Sequence, residues 1–165
     1  MSKDLNDLFR DFRAAEYAHE KTIEQLPRIV GSILVKEGKN NFNLQGYKIG
    51  TSVIPWKNRK AETNKAYARR GKTYKGSVFS PDAKLLMQTM NMYENFRYWI
   101  KKNSVEVGWD LSIVPYAKAH NEGENHEPRR QVMPAPGEPM PPQITKAIFD
   151  KITSQNAVNM QKFRP

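Results

Sequence analysis

The stretch Phe96-Arg97-Tyr98-Trp99-Ile100-Lys101-Lys102-Asn103-Ser104-Val105-Glu106-Val107-Gly108-Trp109 decides the fold class. Phe96, Tyr98 and Ile100 alternate with Arg97, Trp99 and Lys101. After a polar break, Val105, Val107 and Trp109 alternate with Glu106 and Gly108. Successive side chains of a strand point to opposite faces, so each run predicts a half-buried strand. Lys102, Asn103 and Ser104 supply the turn between them, and the whole reads as a β-hairpin.

Helical signals lie on both sides of this hairpin. Upstream, Ser80–Pro81–Asp82 is a helix start with proline in the first turn, and Leu85, Leu86 and Thr89 carry the helix to about Asn91. Before it, Tyr47, Ile49 and Val53 predict one short strand, after which periodicity disappears. Downstream, Tyr116, Ala117, His120 and Asn121 form a short helical or irregular segment closed by Gly123. Five prolines and Gly137 between Pro134 and Pro142 predict a rigid, extended linker. Pro142 opens a last helix with Ile144, Ile148, Phe149 and Ile152 on one face, and the pattern weakens from Ser154 to Pro165.

The N-terminus has the clearest helical period. Leu5, Leu8, Phe9, Phe12, Ala15, His19, Ile23 and Leu26 form one apolar stripe, with Ser2 as cap and Asp4 at the positive end of the dipole. Pro27 predicts a break or kink. A second helix follows, burying Ile29, Val30, Ile33 and Leu34 and ending at Gly38 and Asn40–Asn41. The expected fold is α+β in a single 1–165 domain: N-terminal helices over 1–45, a sheet-containing core over 46–133, and a linker with a C-terminal helix or arm over 134–165. The core holds a small, mostly antiparallel central sheet, one packed helix and a long basic loop.

Composition narrows the function. Apolar residues make up 38% of the 165, and mean hydropathy is -0.77, which implies a modest core with long polar loops. No apolar run suggests a leader or a membrane span. The chain has no cysteine, which removes disulfide and thiolate chemistry and the commonest structural zinc sites. Lys and Arg number 27 against 17 Asp and Glu, a formal charge of +10. The excess is densest in the arm Lys57, Arg59, Lys60, Lys65, Arg69, Arg70, Lys72 and Lys75, where Glu62 is the one acid. Such an arm either meets nucleic-acid phosphates, with Trp56, Tyr67 and Tyr74 placed for stacking, or orders against an acidic protein surface.

Signals for catalysis fail on inspection. Gly71–Lys72–Thr73 resembles the end of a phosphate-binding loop, but the required earlier glycine is Ala66 and no strand precedes it. His120 and His126, with Glu122, Glu124 and Glu127, match no standard metal-ligand spacing. No nucleophile motif of the Gly-x-Ser-x-Gly type occurs. The expectation is a non-enzymatic protein without cofactor or metal.

Read in order, several pieces make a longer pattern. Leu85–Leu86–Met87–Gln88–Thr89–Met90–Asn91–Met92 precedes the Phe96–Ile100 and Val105–Gly108 strands. Pro115–Tyr116–Ala117–Lys118–Ala119–His120–Asn121–Glu122–Gly123 and Pro128–Arg129–Arg130 follow them, and Trp56 with its basic stretch lies upstream. Together they resemble the phage virion-morphogenesis (tail-completion) family of Mu-like phages and prophages, over roughly residues 50 to 135. Two positions depart from that family's pattern: Met90 stands where it has glycine, and Met92 where it has leucine. Glycine there suits a left-handed turn, so Met90 predicts that the helix runs on for another turn.

The resemblance implies a structural virion protein in the neck or upper tail, assembled in the bacterial host cytoplasm. There it forms a ring, hexameric or dodecameric, between portal-side connector proteins and the tail terminator or tail tube. It also implies Trp56, Tyr116, His120, Gly123, Pro128, Arg129 and Arg130 as residues at or near a subunit or partner interface. Within that set Tyr116 is expected to pack, Gly123 to allow a turn, and Arg129–Arg130 to pair with carboxylates. The 57–75 arm, the Pro-rich linker and the C-terminal tail are the candidate docking arms, and a basic lumen would face passing DNA. The competing expectation is a basic nucleic-acid-binding protein that uses the 57–75 arm.

Overall fold

The structure is a computed structural model, and the residues it describes are 5–58, 73–74, 77–78, 85–86, 90–102, 104–124, 128–135 and 137–163. Its first element is one helix, α1, from Leu5 to Leu44, 40 residues and about 60 Å long. The expected break at Pro27 does not occur, and Pro27 lies inside α1. The C-terminal helix explains this by packing along α1 on both sides of the proline. Its far end reaches Tyr17, whose ring stacks on Phe163 with centroids 4.9 Å apart, and its near end packs with Leu34. The cost of one missing amide is offset by tertiary contacts. The expected stop at Gly38 and Asn40–Asn41 is also overruled, and α1 ends where Gln45 turns left-handed at φ 54. The proposed Ser2 and Asp4 cap lies outside the described residues.

Two short strands follow, β1 (Gly46–Ile49) and β2 (Ser52–Pro55), paired antiparallel with Tyr47 opposite Ile54. The sequence signalled one strand here; the second was hidden because all four β2 residues are exposed and so carry no alternation. β3 (Thr73–Tyr74) and β4 (Ser77–Val78) make a second antiparallel pair. The short helix α2 (Asn91–Glu94) leads into β5 (Arg97–Lys101) and β6 (Ser104–Gly108), the expected hairpin, with Tyr98 opposite Val107 and Ile100 opposite Val105. The α+β class holds, and among the described residues the antiparallel pairing is spread over three two-stranded units.

Met90 is left-handed, at φ 56, so the helix does not run on through it; a new turn, α2, begins at Asn91. Most of the helix expected before it, and the arm from 59 to 72, fall outside the described residues. The last helices are α3 (Ala117–Glu122), closed by Gly123 at φ 80, and α4 (Pro142–Phe163). Proline opens α4 as expected, but the segment after Ser154 is regular helix packed on α1 and not a loose tail. Phe149, assigned to its buried face, is 69% exposed.

The core sits where the C-terminal half of α1 meets the β1–β2 and β5–β6 hairpins and the start of α4. Phe42, at 0% exposure, contacts the rings of Trp56, Tyr93 and Phe96, and Phe96 in turn lies 4.8 Å from Trp109. Leu34, Met92, Val114, Val132 and Ile144 complete it. Each fully buried large side chain contributes roughly 1.5–3 kcal/mol.

The N-terminal stripe behaves differently from expectation. Leu5, Leu8, Phe9, Phe12 and Ile23 are exposed, Phe12 at 64% and Leu5 at 67%. α4 packs instead on the neighbouring face, where Ala14, Ala18 and Thr22 are buried. Small residues four apart form a shallow ridge on which a second helix can sit closely. The contact even carries a polar layer: Asn159 Nδ2 donates to Thr22 Oγ1 at 3.1 Å and to Gln25 Oε1 at 3.4 Å.

Candidate functional site

The residues singled out by the sequence pattern converge on the root of the basic arm. Trp56, just after β2, is buried, and its Nε1 donates to the Gln131 carbonyl at 3.0 Å. Arg130 is also buried, at 5%. Its Nε donates to the Lys57 carbonyl at 3.3 Å and its Nη1 to His120 Nδ1 at 3.2 Å. Because a guanidinium only donates, Nδ1 is the acceptor and the imidazole proton belongs on Nε2. The backbone closes the same contact, since Arg130 N donates to the His120 carbonyl at 2.7 Å. Trp56 and Arg130, expected at an interface, are therefore withdrawn into the fold. A buried guanidinium needs fixed acceptors, and here the Lys57 carbonyl and the His120 imidazole supply two of them.

Tyr116 caps α3 at 41% exposure, edge-on to His120 with centroids 5.9 Å apart, so the packing expected of it is partial. Its hydroxyl accepts from Asn91 Nδ2 at 3.3 Å. Gly123 makes the expected turn, with the Arg129 backbone so near that a β-carbon would lie 3.0 Å from Arg129 Cβ. Pro128 is half-buried beside it. Arg129 pairs with Glu138 at 2.5 Å, the carboxylate pairing expected, made within the chain. Glu138 also accepts from Gln131 Nε2 and the Ala135 amide, and these bonds hold its carboxyl below the usual carboxylate range, Arg129 foremost. The Pro-rich linker is thus tied back onto residues 129–131 and is not a free arm.

Beneath this cluster lie two buried asparagines, which the sequence places at a helix end (Asn41) and in a short helical segment (Asn121) without indicating their burial. Asn121 Oδ1 accepts from the amides of Val132 at 2.8 Å and Met133 at 3.2 Å. Asn41 Nδ2 donates to the Val132 carbonyl at 2.9 Å, while its Oδ1 accepts from Lys48 N at 3.1 Å. Among the described residues, 132–133 have no strand partner, and the two side chains stand in for one. At the end of α1, Gln45 treats Leu85 likewise: its side chain accepts from the Leu85 amide and donates to the Leu85 carbonyl.

Of the arm, Lys57 is described and exposed, with its carbonyl held by Arg130. Arg59, Lys60, Lys65, Arg69, Arg70, Lys72 and Lys75 lie outside the described residues, as do Gly71, His126 and Glu127. A shallow cleft of about 390 Å³ opens beside the cluster, lined by Phe96, Val107, Trp109, Leu111, Met133 and Pro134. Lys118 and Glu122 stand at its rim, and Lys118 is pushed up from its ordinary value by its bond to Glu124. The cleft can receive an apolar group. Among the described residues no three of His, Asp and Glu gather as metal ligands, and no helix is long and apolar enough to cross a membrane. Comparisons with protein-family models, with curated proteins and with solved structures each return no match.

Proposed function

We propose that this chain is a structural subunit of a tailed-bacteriophage virion. In this reading it belongs to the neck or upper-tail ring that completes the tail and joins it to the head, and it works by assembly without turnover. The observation that carries the reading is that Arg130 joins His120 to the Lys57 carbonyl next to Trp56, with Tyr116 against His120 and Gly123 against Arg129. These are the residues of the ordered tail-completion pattern, and every contact among them anchors chain. Arg130 ties α3 to the root of the basic arm, and Arg129 ties the linker to the same place. A subunit that presents an arm to ring neighbours needs such an anchored root. The bare stripe of α1 supports the same class of function, because contiguous exposed apolar surface marks an interaction site.

Its partners would be other copies in the ring, the portal-side connector and the tail terminator or tube, with genomic DNA crossing a basic lumen. The formal charge of +10 also favours a second reading, a nucleic-acid-binding protein using residues 57–75. Electron microscopy of particles made with this gene disrupted separates the two. Filled heads beside unjoined tails are the expected result. Joined, infectious particles would remove the neck assignment, and salt-dependent affinity of the isolated chain for DNA would then favour the second reading.

A further inference from the structure

The stripe on the N-terminal half of α1 has an order that points to what covers it. Leu5, Leu8, Phe12 and Ala15 are spaced three, four and three apart. Glu16, His19, Ile23 and Leu26 repeat that spacing in the same order. The positions therefore map onto themselves when the helix is reversed about the Ala15–Glu16 bond: Leu5 onto Leu26, Leu8 onto Ile23, Phe12 onto His19. We propose that two copies of this chain pair through α1 in antiparallel register about that point. The inference is independent of the virion assignment.

Area and charge both favour a second copy. The exposed parts of Leu5, Leu8, Phe9, Phe12 and Ile23 amount to on the order of 500 Å² of apolar side chain, judged from what such residues bury in cores. Covering the same stripe on a partner removes about 1,000 Å², the threshold for a specific interface. Along the flank of the stripe, Arg13, Glu16 and Glu20 are all exposed and share one side of the helix by their spacing. Antiparallel pairing brings Arg13 of one copy within a turn of Glu16 and Glu20 of the other. Parallel pairing puts like flanks on opposite sides of the seam, so Arg13 would then meet neither glutamate and this attraction would be lost. The α1–α4 contact is undisturbed, because its buried ridge of Ala14, Ala18 and Thr22 lies on another face. An isologous contact of this kind closes on two copies and leaves ring contacts to other surfaces.

The test uses the full chain. Sedimentation velocity should give a species of twice the 19.1 kDa chain mass at tens of micromolar. Leu8→Glu with Phe12→Glu should return it to monomer with unchanged helix content, since both side chains are exposed. Arg13→Glu should weaken pairing several-fold, and adding Glu16→Arg and Glu20→Arg should restore it. Because the chain has no cysteine, a spin label at Arg28→Cys reports orientation cleanly. Antiparallel pairing about residues 15–16 places the two labels about 35–40 Å apart along the axis, whereas parallel pairing brings them close. A monomer at 100 μM and above, an oligomer that survives the Leu8 and Phe12 changes, or a short label distance would each overturn the proposal.

Discussion

The ring of Phe96 lies directly against the backbone of Gly38. A β-carbon built at Gly38 would fall 2.1 Å from Phe96 Cε1, and one at Gly31 would fall 2.3 Å from Tyr98 Cδ2. Seven residues apart on α1, the two glycines form a groove that receives Phe96, just before β5, and Tyr98 within it. This contact lets the hairpin reach the helix closely enough to enclose Phe42.

Gly38→Ala should therefore destabilise the protein, although alanine is the better helix former. Propensity favours the change by about 1 kcal/mol, whereas forcing a methyl into a packed ring costs about 1–3 kcal/mol or more. Chemical denaturation should show a lower midpoint, and Phe96→Leu in the same chain should recover part of the loss. A midpoint at or above the parent's would mean the ring is free to move aside.

Removing the Asn121 side chain should be among the costliest polar changes. Asn121→Ala leaves the buried amides of Val132 and Met133 without an acceptor, at about 1–3 kcal/mol each. Asn41→Ala should cost a comparable amount through the Val132 carbonyl and the Lys48 amide. Amide hydrogen exchange should speed up at Val132 and Met133 in the first variant, and a loss below about 0.5 kcal/mol would argue that water replaces the side chain.

Met90 adopts a backbone conformation in which a side chain costs about 1 kcal/mol or more. Met90→Gly should hold or raise the melting temperature, and Met90→Val should lower it, since β-branching suits positive φ least. The order Gly, Met, Val in thermal stability is the expected readout, and its reversal would count against a left-handed residue 90.

Acid should loosen the linker. The carboxyl of Glu138 is depressed by Arg129 first and by the Ala135 amide next. A depressed carboxylate contributes stability that is complete above its unfolded value and is lost as pH falls through its lower folded value. The dependence should lie on the acid side of the ordinary carboxylate range, and Glu138→Gln should flatten it by giving at neutral pH the looser linker that acid produces in the parent. The pair is solvent-exposed and its weight is modest, so the cleaner probe is protease cleavage near residues 134–140 at low pH.

Local periodicity alone was enough for the β5–β6 hairpin, the Pro142 start of α4, and the turn at Gly123. Each is written in neighbouring residues: period-two alternation, a proline with its preset φ, a glycine that accepts positive φ. The converging site was half legible. Tyr116, His120 and the Arg129–Arg130 pair stand out by residue type, but their partners are carbonyls of Lys57 and Asn121 and the distant Glu138, which no local pattern announces. The burial of Asn41 and Asn121 gave no signal, because a buried asparagine is recognisable only once its backbone partner is in place.

The continuity of α1 through Pro27 and the face it buries were decided by tertiary structure. Hydrophobicity marks Leu5, Leu8, Phe9 and Phe12 as the side to cover, yet α4 chose Ala14, Ala18 and Thr22. Close approach of two helices depends on small side chains in register and not on the greasiest stripe. A proline weakens one helical bond, and a second helix lying along both sides of it compensates from outside the segment. Sequence determined which segments are helix or strand where the period is local; only the assembled chain could settle which surfaces meet, because that choice depends on shape and on partners more than a hundred residues away.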